Sequence, residues 1–331
     1  MRCAVVGAGA WGTALADLLA RSGHAVCLWA LEDDVVRSVN GDHQNPVFLP
    51  GFTLAATLTA THDLREALEG AEFIVYAAPS QHLRKVTHDG SRFVSADAVL
   101  AVASKGIEVG SLSLMSDVIA EEVPGRAVVA ISGPSFAAEV AARQPTAIVA
   151  ASNYPDAARL AQDAMSNATF RVYTHDDLIG VELGGALKNV MAVATGIVEG
   201  LGLGNNSRAA LITRGLAEMT RLGVAIGARA STFAGLAGIG DLVLTCTGAL
   251  SRNRAVGVEI GQGRTLEQAL AGKPTVAEGV VTTRSALALA QREDVEMPIA
   301  GTVYRILFEG HPAHRAIPEL MERGLRSEQD A

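Results

Sequence analysis

Near its start the chain runs a short apolar stretch, Cys3–Val6, straight into Gly7-Ala8-Gly9-Ala10-Trp11-Gly12 and on into a second apolar stretch, Thr13–Ala20. A strand, a glycine turn and a helix form the context in which GxGxxG spacing acquires physical meaning. The first glycine permits the tight turn, the second lets the backbone approach a pyrophosphate, and the third brings helix and strand together. The helix N-terminus then offers free N–H groups and a positive dipole end to phosphate oxygens. Such a unit calls for a buried parallel strand and a doubly wound sheet around it. A secretory leader also has an apolar core, but it has no need of glycines at these places.

Further apolar runs follow at Ala25–Trp29, Phe73–Ala77, Ala98–Ala103, Ala127–Ile131 and Ala147–Ala151. The last four end in small or turn-forming residues, and the carboxyl ends of such strands line the ligand crevice of a doubly wound sheet. Lys105 stands just past one of them, either as a crevice cation or as an exposed loop lysine. Ser135 is expected to N-cap a helix over Phe136–Ala142. After the second strand comes Glu32-Asp33-Asp34 with no basic residue before Arg37. Acids there favour the ribose hydroxyls of NAD over the 2′-phosphate of NADP, although they also suit the start of a helix.

After Thr174-His175-Asp176-Asp177, read as a helix start, strand patterns give way to helical ones. The expected division is a sheet domain over 1–174, a helical domain over 175–325 and a tail over 326–331. Within Gly180–Thr220 two amphipathic helices flank the glycine-rich run Gly200–Gly204. Leu183, Leu187, Val190 and Ala194 recur at helical spacing, while Lys188 lies among Gly184, Gly185 and Ala192. A lysine is seldom buried unless paired, so Lys188 is either an ion-pair partner or a working group. Asp241, followed by Thr245 one turn on, is either an N-cap or the group that orients Lys188. Desolvation would lower the lysine pKa and a carboxylate would raise it. Ser251 is placed as the N-cap of a helix toward Gly261, with Arg252 and Asn253 in its first turn. That arrangement suits an oxyanion, although Arg252 and Arg254 also read as surface residues.

Composition narrows the partners. The 331 residues leave room for two cores, and a content of 49% hydrophobic but only 4% aromatic residues fits a helix-rich α/β enzyme. A net charge of −8 argues against nucleic acid and anionic membranes. An anionic substrate would therefore need cations placed locally. The 3 cysteines fit neither a disulfide framework nor a zinc site and point to a reducing compartment. Uninterrupted apolar runs of about 18 residues, the membrane-spanning length, are not expected, since Lys188 and Asn189 break the nearest. No metal and a cytoplasmic location are expected.

Taken together, the ordered motifs GAGAWGTALA (7–16), NPVFLPG (45–51), ASKGIE (103–108), SGPSFAAEV (132–140), GALKNV (185–190), ALITRGLAEM (210–219), GLAGIGDLVLTCTG (235–248), SRN (251–253) and AEG (277–279) closely resemble the bacterial NAD(P)-dependent glycerol-3-phosphate dehydrogenases over nearly the whole chain. The resemblance implies an N-terminal Rossmann-type domain and an all-helical C-terminal domain. It implies reversible reduction of dihydroxyacetone phosphate to sn-glycerol 3-phosphate with NADH or NADPH, feeding glycerophospholipid synthesis. It makes Lys188 the acid/base and assigns the substrate to Lys105, Gly133, Ser135, Lys188, Asp241, Ser251, Arg252 and Asn253. It assigns the cofactor to Gly7, Gly9, Ala10, Trp11, Gly12, Lys105, Ala137, Arg252, Val276 and Glu278. A basic residue often follows the second strand in similar sequences; Leu31 stands near that place here, which weighs against NADP. A homodimer is among the assemblies compatible with this reading. The alternatives are a related two-domain 3-hydroxy acid dehydrogenase and a non-catalytic nucleotide-binding protein.

Overall fold

The computed structural model describes residues 1–272, 277–322, 324, 327 and 328. They divide into two units, Met1–Lys105 with Ser113–Val181, and Gly106–Leu112 with Glu182–Ala331.

The first unit holds eight strands: β1 (Arg2–Val6), β2 (Ala25–Trp29), β3 (Thr59–Thr61), β4 (Phe73–Tyr76), β5 (Val99–Val102), β6 (Val128–Ser132), β7 (Thr146–Ala151) and β8 (Phe170–His175). Its helices are α1 (Ala10–Arg21), α2 (Asp33–Asp42), α3 (Leu64–Leu68), α4 (Leu83–Gly90), α5 (Met115–Glu122), α6 (Ala137–Ala141) and α7 (Pro155–Met165). The strand order is β3-β2-β1-β4-β5-β6-β7-β8, with every pairing parallel except β6 with β7. The order reverses between β1 and β4, which is where a doubly wound sheet opens its crevice. Cys3 and Val5 of β1 share a cluster with Leu15 and Leu19 of α1. Ala4 and Val6, pointing the other way, are just as buried, so the sheet is covered on both faces.

Two strands escape a search for continuous apolar runs. β3 is too short to show a pattern. β8 alternates buried Phe170 and Val172 with exposed Arg171 and Tyr173, the period of a strand with one side open. Of the expected helix start Thr174-His175-Asp176-Asp177, the first two residues are therefore the end of β8. The cap comes two residues later, where the Asp177 carboxylate accepts from the Gly180 N–H at 3.0 Å. Ser135 is not an N-cap either. α6 begins after Phe136 without a side-chain cap, and the Ser135 hydroxyl donates to the Gly133 carbonyl at 2.9 Å.

The second unit is helical: α8 (Leu178–Gly200, which begins in the first unit), α9 (Asn205–Ala225), α10 (Ala230–Phe233), a π-turn at Leu236–Gly240, α11 (Asp241–Thr247), α12 (Arg252–Gly261), α13 (Leu266–Leu270), α14 (Glu278–Arg292), α15 (Pro298–Phe308) and α16 (Ala313–Met321). α8 is long and apolar enough to cross a membrane, but its apolar window is wholly buried inside the protein. A core role accounts for its composition. Glycines let α12 touch it: a Cβ on Gly196 would lie 2.1 Å from the Arg254 carbonyl oxygen, and one on Gly257 2.2 Å from that of Val193. Glu218 of α9, 2% exposed, caps α15 by accepting from the Ile299 N–H at 2.7 Å and the Ala300 N–H at 3.3 Å.

Candidate functional site

The candidate site of the first unit is made of backbone. Gly7 adopts φ +114°, and a Cβ there would meet the Ala78 nitrogen at 2.8 Å, so the turn after β1 lies against the end of β4. The Gly7 N–H donates to the Trp29 carbonyl at 3.0 Å, fixing the turn to β2 as well. Gly9 is the opposite case: a Cβ there would have nothing within 4 Å. α1 starts at Ala10 with no acidic residue in its first turn and no side-chain cap. Its N–H groups are thus oriented, with space before them, as a pyrophosphate requires. The Trp11 Nε1 is buried and lacks a hydrogen-bond partner among the described residues, a second polar group that a ligand would satisfy. Asn45 holds the turn from beneath: its Nδ2 donates to the Ala8 carbonyl at 2.9 Å and to Thr13 Oγ1 at 2.8 Å.

Beyond β5, Lys105 is half-buried in its loop. Gly133, just past β6, has φ +137°, and a Cβ there would strike the Ile148 Cα at 2.9 Å. Ala137 opens α6. At the end of β2, Leu31 is 74% exposed and Glu32 precedes α2 without a side-chain cap bond.

The candidate site of the second unit is made of side chains. Lys188 is 7% exposed and Asp241 fully buried, and the ammonium donates to Asp241 Oδ1. Asp241 is thus the first residue of α11, and its carboxylate is spent on the lysine pair. Thr245 supports it, the hydroxyl lying 2.6 Å from the Asp241 carbonyl and 3.3 Å from Oδ1. The space beside Lys188 left by Gly184 is filled by backbone, since a Cβ there would lie 2.4 Å from the Ala237 carbonyl oxygen. Burial pushes the Cys246 thiol up to about 12, with Lys188 pulling the other way.

Ser251 caps α12, its Oγ accepting from the Arg254 N–H at 3.3 Å. Arg252 follows with an exposed edge, yet desolvation lowers its guanidinium pKa, partly offset by Glu278. Asn253 is buried; its Nδ2 donates to Asn189 Oδ1 at 2.9 Å and its Oδ1 accepts from the Gly279 N–H at 2.9 Å. Val276 lies outside the described residues, as does most of the expected 326–331 tail. Among the described residues no group of three or more His, Cys, Asp or Glu could hold a metal.

Residues 2–158 match the family model described as NAD-dependent glycerol-3-phosphate dehydrogenase N-terminus, and residues 177–318 match that of its C-terminus. The chain belongs to the glycerol-3-phosphate dehydrogenase family. A relative from Geobacter sp. (strain M21), named glycerol-3-phosphate dehydrogenase, NAD(P)+, is 53% identical over 99% of this chain and 98% of its own. One of the same name from Trichlorobacter lovleyi is 54% identical over 99% and 100%. The crystal structure of glycerol-3-phosphate dehydrogenase from Coxiella burnetii superposes with a TM-score of 0.94 at 43% identity, covering 97% of this chain and 99% of that one.

Within this dehydrogenase fold, sequence reasoning gave no part to Asn45 or Asn189. Both sit inside motifs that carry the family resemblance, NPVFLPG and GALKNV. The available signal was chemical: an asparagine in an otherwise apolar buried stretch must find hydrogen-bond partners.

Proposed function

We propose that the protein reduces dihydroxyacetone phosphate to sn-glycerol 3-phosphate, reversibly, with NADH or NADPH as the second substrate. The observation that carries this is the buried ion pair of Lys188 with Asp241, steadied by Thr245. When bound, the reduced nicotinamide supplies a hydride to the carbonyl carbon. Lys188, oriented by its carboxylate partner, stabilises the oxygen that becomes an alkoxide and donates a proton to it.

The remaining roles follow the chemistry of each group. Arg252 offers a bidentate guanidinium to the substrate phosphate. Ser251, whose Oγ accepts the α12 cap bond, keeps its O–H for donation, and Asn253 adds an N–H donor. Lys105, Gly133 and Ser135 complete the proposed substrate set. In the first unit, Gly7, Gly9, Ala10, Trp11 and Gly12 would hold the pyrophosphate side of the coenzyme. Lys105, Ala137, Arg252, Val276 and Glu278 are assigned to the rest of it. For function we divide the chain at 174/175. The same reading carries a role in glycerophospholipid synthesis, a cytoplasmic location and a homodimer, which fractionation and sedimentation would check.

The test is loss of reduced-nicotinamide absorbance when purified protein meets dihydroxyacetone phosphate. Consumption of NADH or NADPH with this ketone, and no reduction of NAD⁺ or NADP⁺ with 3-hydroxy acids in the reverse direction, is the expected result. Coenzyme binding without turnover on the phosphorylated ketone would overturn the reading.

A further inference from the structure

Asn189 and Asn253 belong to a chain of amides whose direction is fixed at both ends. At one end stands the Gly279 N–H, a group that only donates, 2.9 Å from Asn253 Oδ1. At the other stands the Gly185 carbonyl, a group that only accepts, 3.4 Å from Asn189 Nδ2. Between them Asn253 Nδ2 donates to Asn189 Oδ1 at 2.9 Å. An isolated carboxamide can turn over and exchange oxygen for nitrogen at little cost. Here neither can turn without setting two acceptors or two donors face to face in a buried site. Asn189 and Asn253 are 6% and 9% exposed, so such a mismatch would go unrelieved by water.

The direction has a consequence for anion binding. With its oxygen committed to Gly279 and one N–H committed to Asn189, Asn253 retains a single N–H without a partner among the described residues. A phosphate oxygen needs a donor and is repelled by an amide oxygen. We infer that Asn189 is a positioning residue: it locks the Asn253 carboxamide so that only an N–H donor can face the substrate phosphate. This rests on the proposed function, in which Asn253 binds that phosphate. It also explains why position 279 is a glycine, because a Cβ there would lie 2.4 Å from the Asn189 carbonyl oxygen and 3.0 Å from Asn253 Oδ1. Through this chain the GALKNV, SRN and AEG motifs become one hydrogen-bonded assembly.

The experiment measures kcat and the KM for dihydroxyacetone phosphate in Asn189→Leu, Asn189→Asp, Asn253→Ala and the Asn189→Leu/Asn253→Ala double variant. Asn189→Leu removes the acceptor at similar volume and should raise KM about 10- to 100-fold, the worth of a hydrogen bond to a charged group. Its kcat and its KM for NADH should stay within about threefold of the wild type, a split that general loss of structure would not produce. Asn189→Asp keeps the acceptor toward Asn253 but sets a second oxygen against the Gly185 carbonyl, so it should recover only part of the lost affinity. In the Asn253→Ala background, Asn189→Leu should add less than about a twofold effect, because it acts through Asn253. Asn253→Asp, which keeps the Gly279 contact but turns the donor into a charged oxygen, should bind substrate more weakly than Asn253→Ala. That comparison stands even if Asn189→Leu does not fold. A full Asn189→Leu effect surviving in the double variant, an unmoved KM, or tighter binding by Asn253→Asp than by Asn253→Ala would each overturn the inference. Wild-type protein inactive on dihydroxyacetone phosphate would instead overturn the parent reading, and the inference with it.

Discussion

Gly9 of the first unit and the Gly196–Gly257 pair of the second use glycine for opposite ends. In the first, Gly9 leaves an empty space with nothing within 4 Å, and Gly7 takes φ +114° to turn the backbone toward it. In the second, Gly196 and Gly257 have no space at all, because α8 and α12 touch backbone to backbone at those points. Gly9 leaves open space, which the proposed coenzyme would use; the Gly196–Gly257 pair removes space so that two helix backbones meet. The helix N-termini repeat the contrast. α1 begins without an acid in its first turn, whereas α15 has its N-terminal N–H groups occupied by Glu218. A helix end left open by the protein is a place for an external anion, and one filled by a buried carboxylate is part of the core.

Substitutions that should separate the two uses span a wide range of effect. Gly196→Val sets its Cβ 2.1 Å from a backbone oxygen that cannot yield cheaply. It should cost more than about 4 kcal/mol, seen as loss of cooperative unfolding in denaturant. Glu218→Ala should cost about 1.5–3 kcal/mol, the worth of hydrogen bonds to a buried charge, and lower the denaturation midpoint without changing coenzyme affinity. Gly9→Ala should leave stability nearly unchanged, as its φ of −61° suits alanine, yet weaken NADH binding roughly tenfold by holding the pyrophosphate off the backbone. A Gly9→Ala protein that lost stability instead would erase the contrast. The smallest effect is expected at the end of β2. Leu31 is exposed beside Glu32, so NADH should be the better coenzyme, and Leu31→Arg should raise kcat/KM for NADPH by about threefold to tenfold through one added cation. Competing steady-state rates with the two coenzymes would check it.

How much of this was legible in the chain depended on the distance between interacting residues. The turn after β1 is built from neighbours, so Gly7, Gly9 and Gly12 carried strand, turn and helix within a few positions. The Lys188–Asp241 pair spans 53 residues and the Asn189–Asn253 bond 64, separations at which no periodicity speaks. The sequence left Asp241 divided between capping and pairing, and packing against α8 decided for pairing. Ser135 illustrates the limit from the other side. A serine before an apolar run is good capping chemistry, but the Gly133 turn takes its hydroxyl first. The edge strand β8 was missed because its alternation is that of a half-covered strand, whereas the central strands are apolar throughout.

The central claim is that one ammonium in the helical unit does chemistry while the glycine turn in the other holds the coenzyme. Its most direct test is Lys188→Ala, with turnover on dihydroxyacetone phosphate and NADH binding by fluorescence measured on the same sample. The account predicts turnover reduced about 10²- to 10⁴-fold, the usual worth of a positioned general acid, at an NADH affinity close to wild type. Normal turnover, or a loss of NADH binding that matches the loss of turnover, would contradict it.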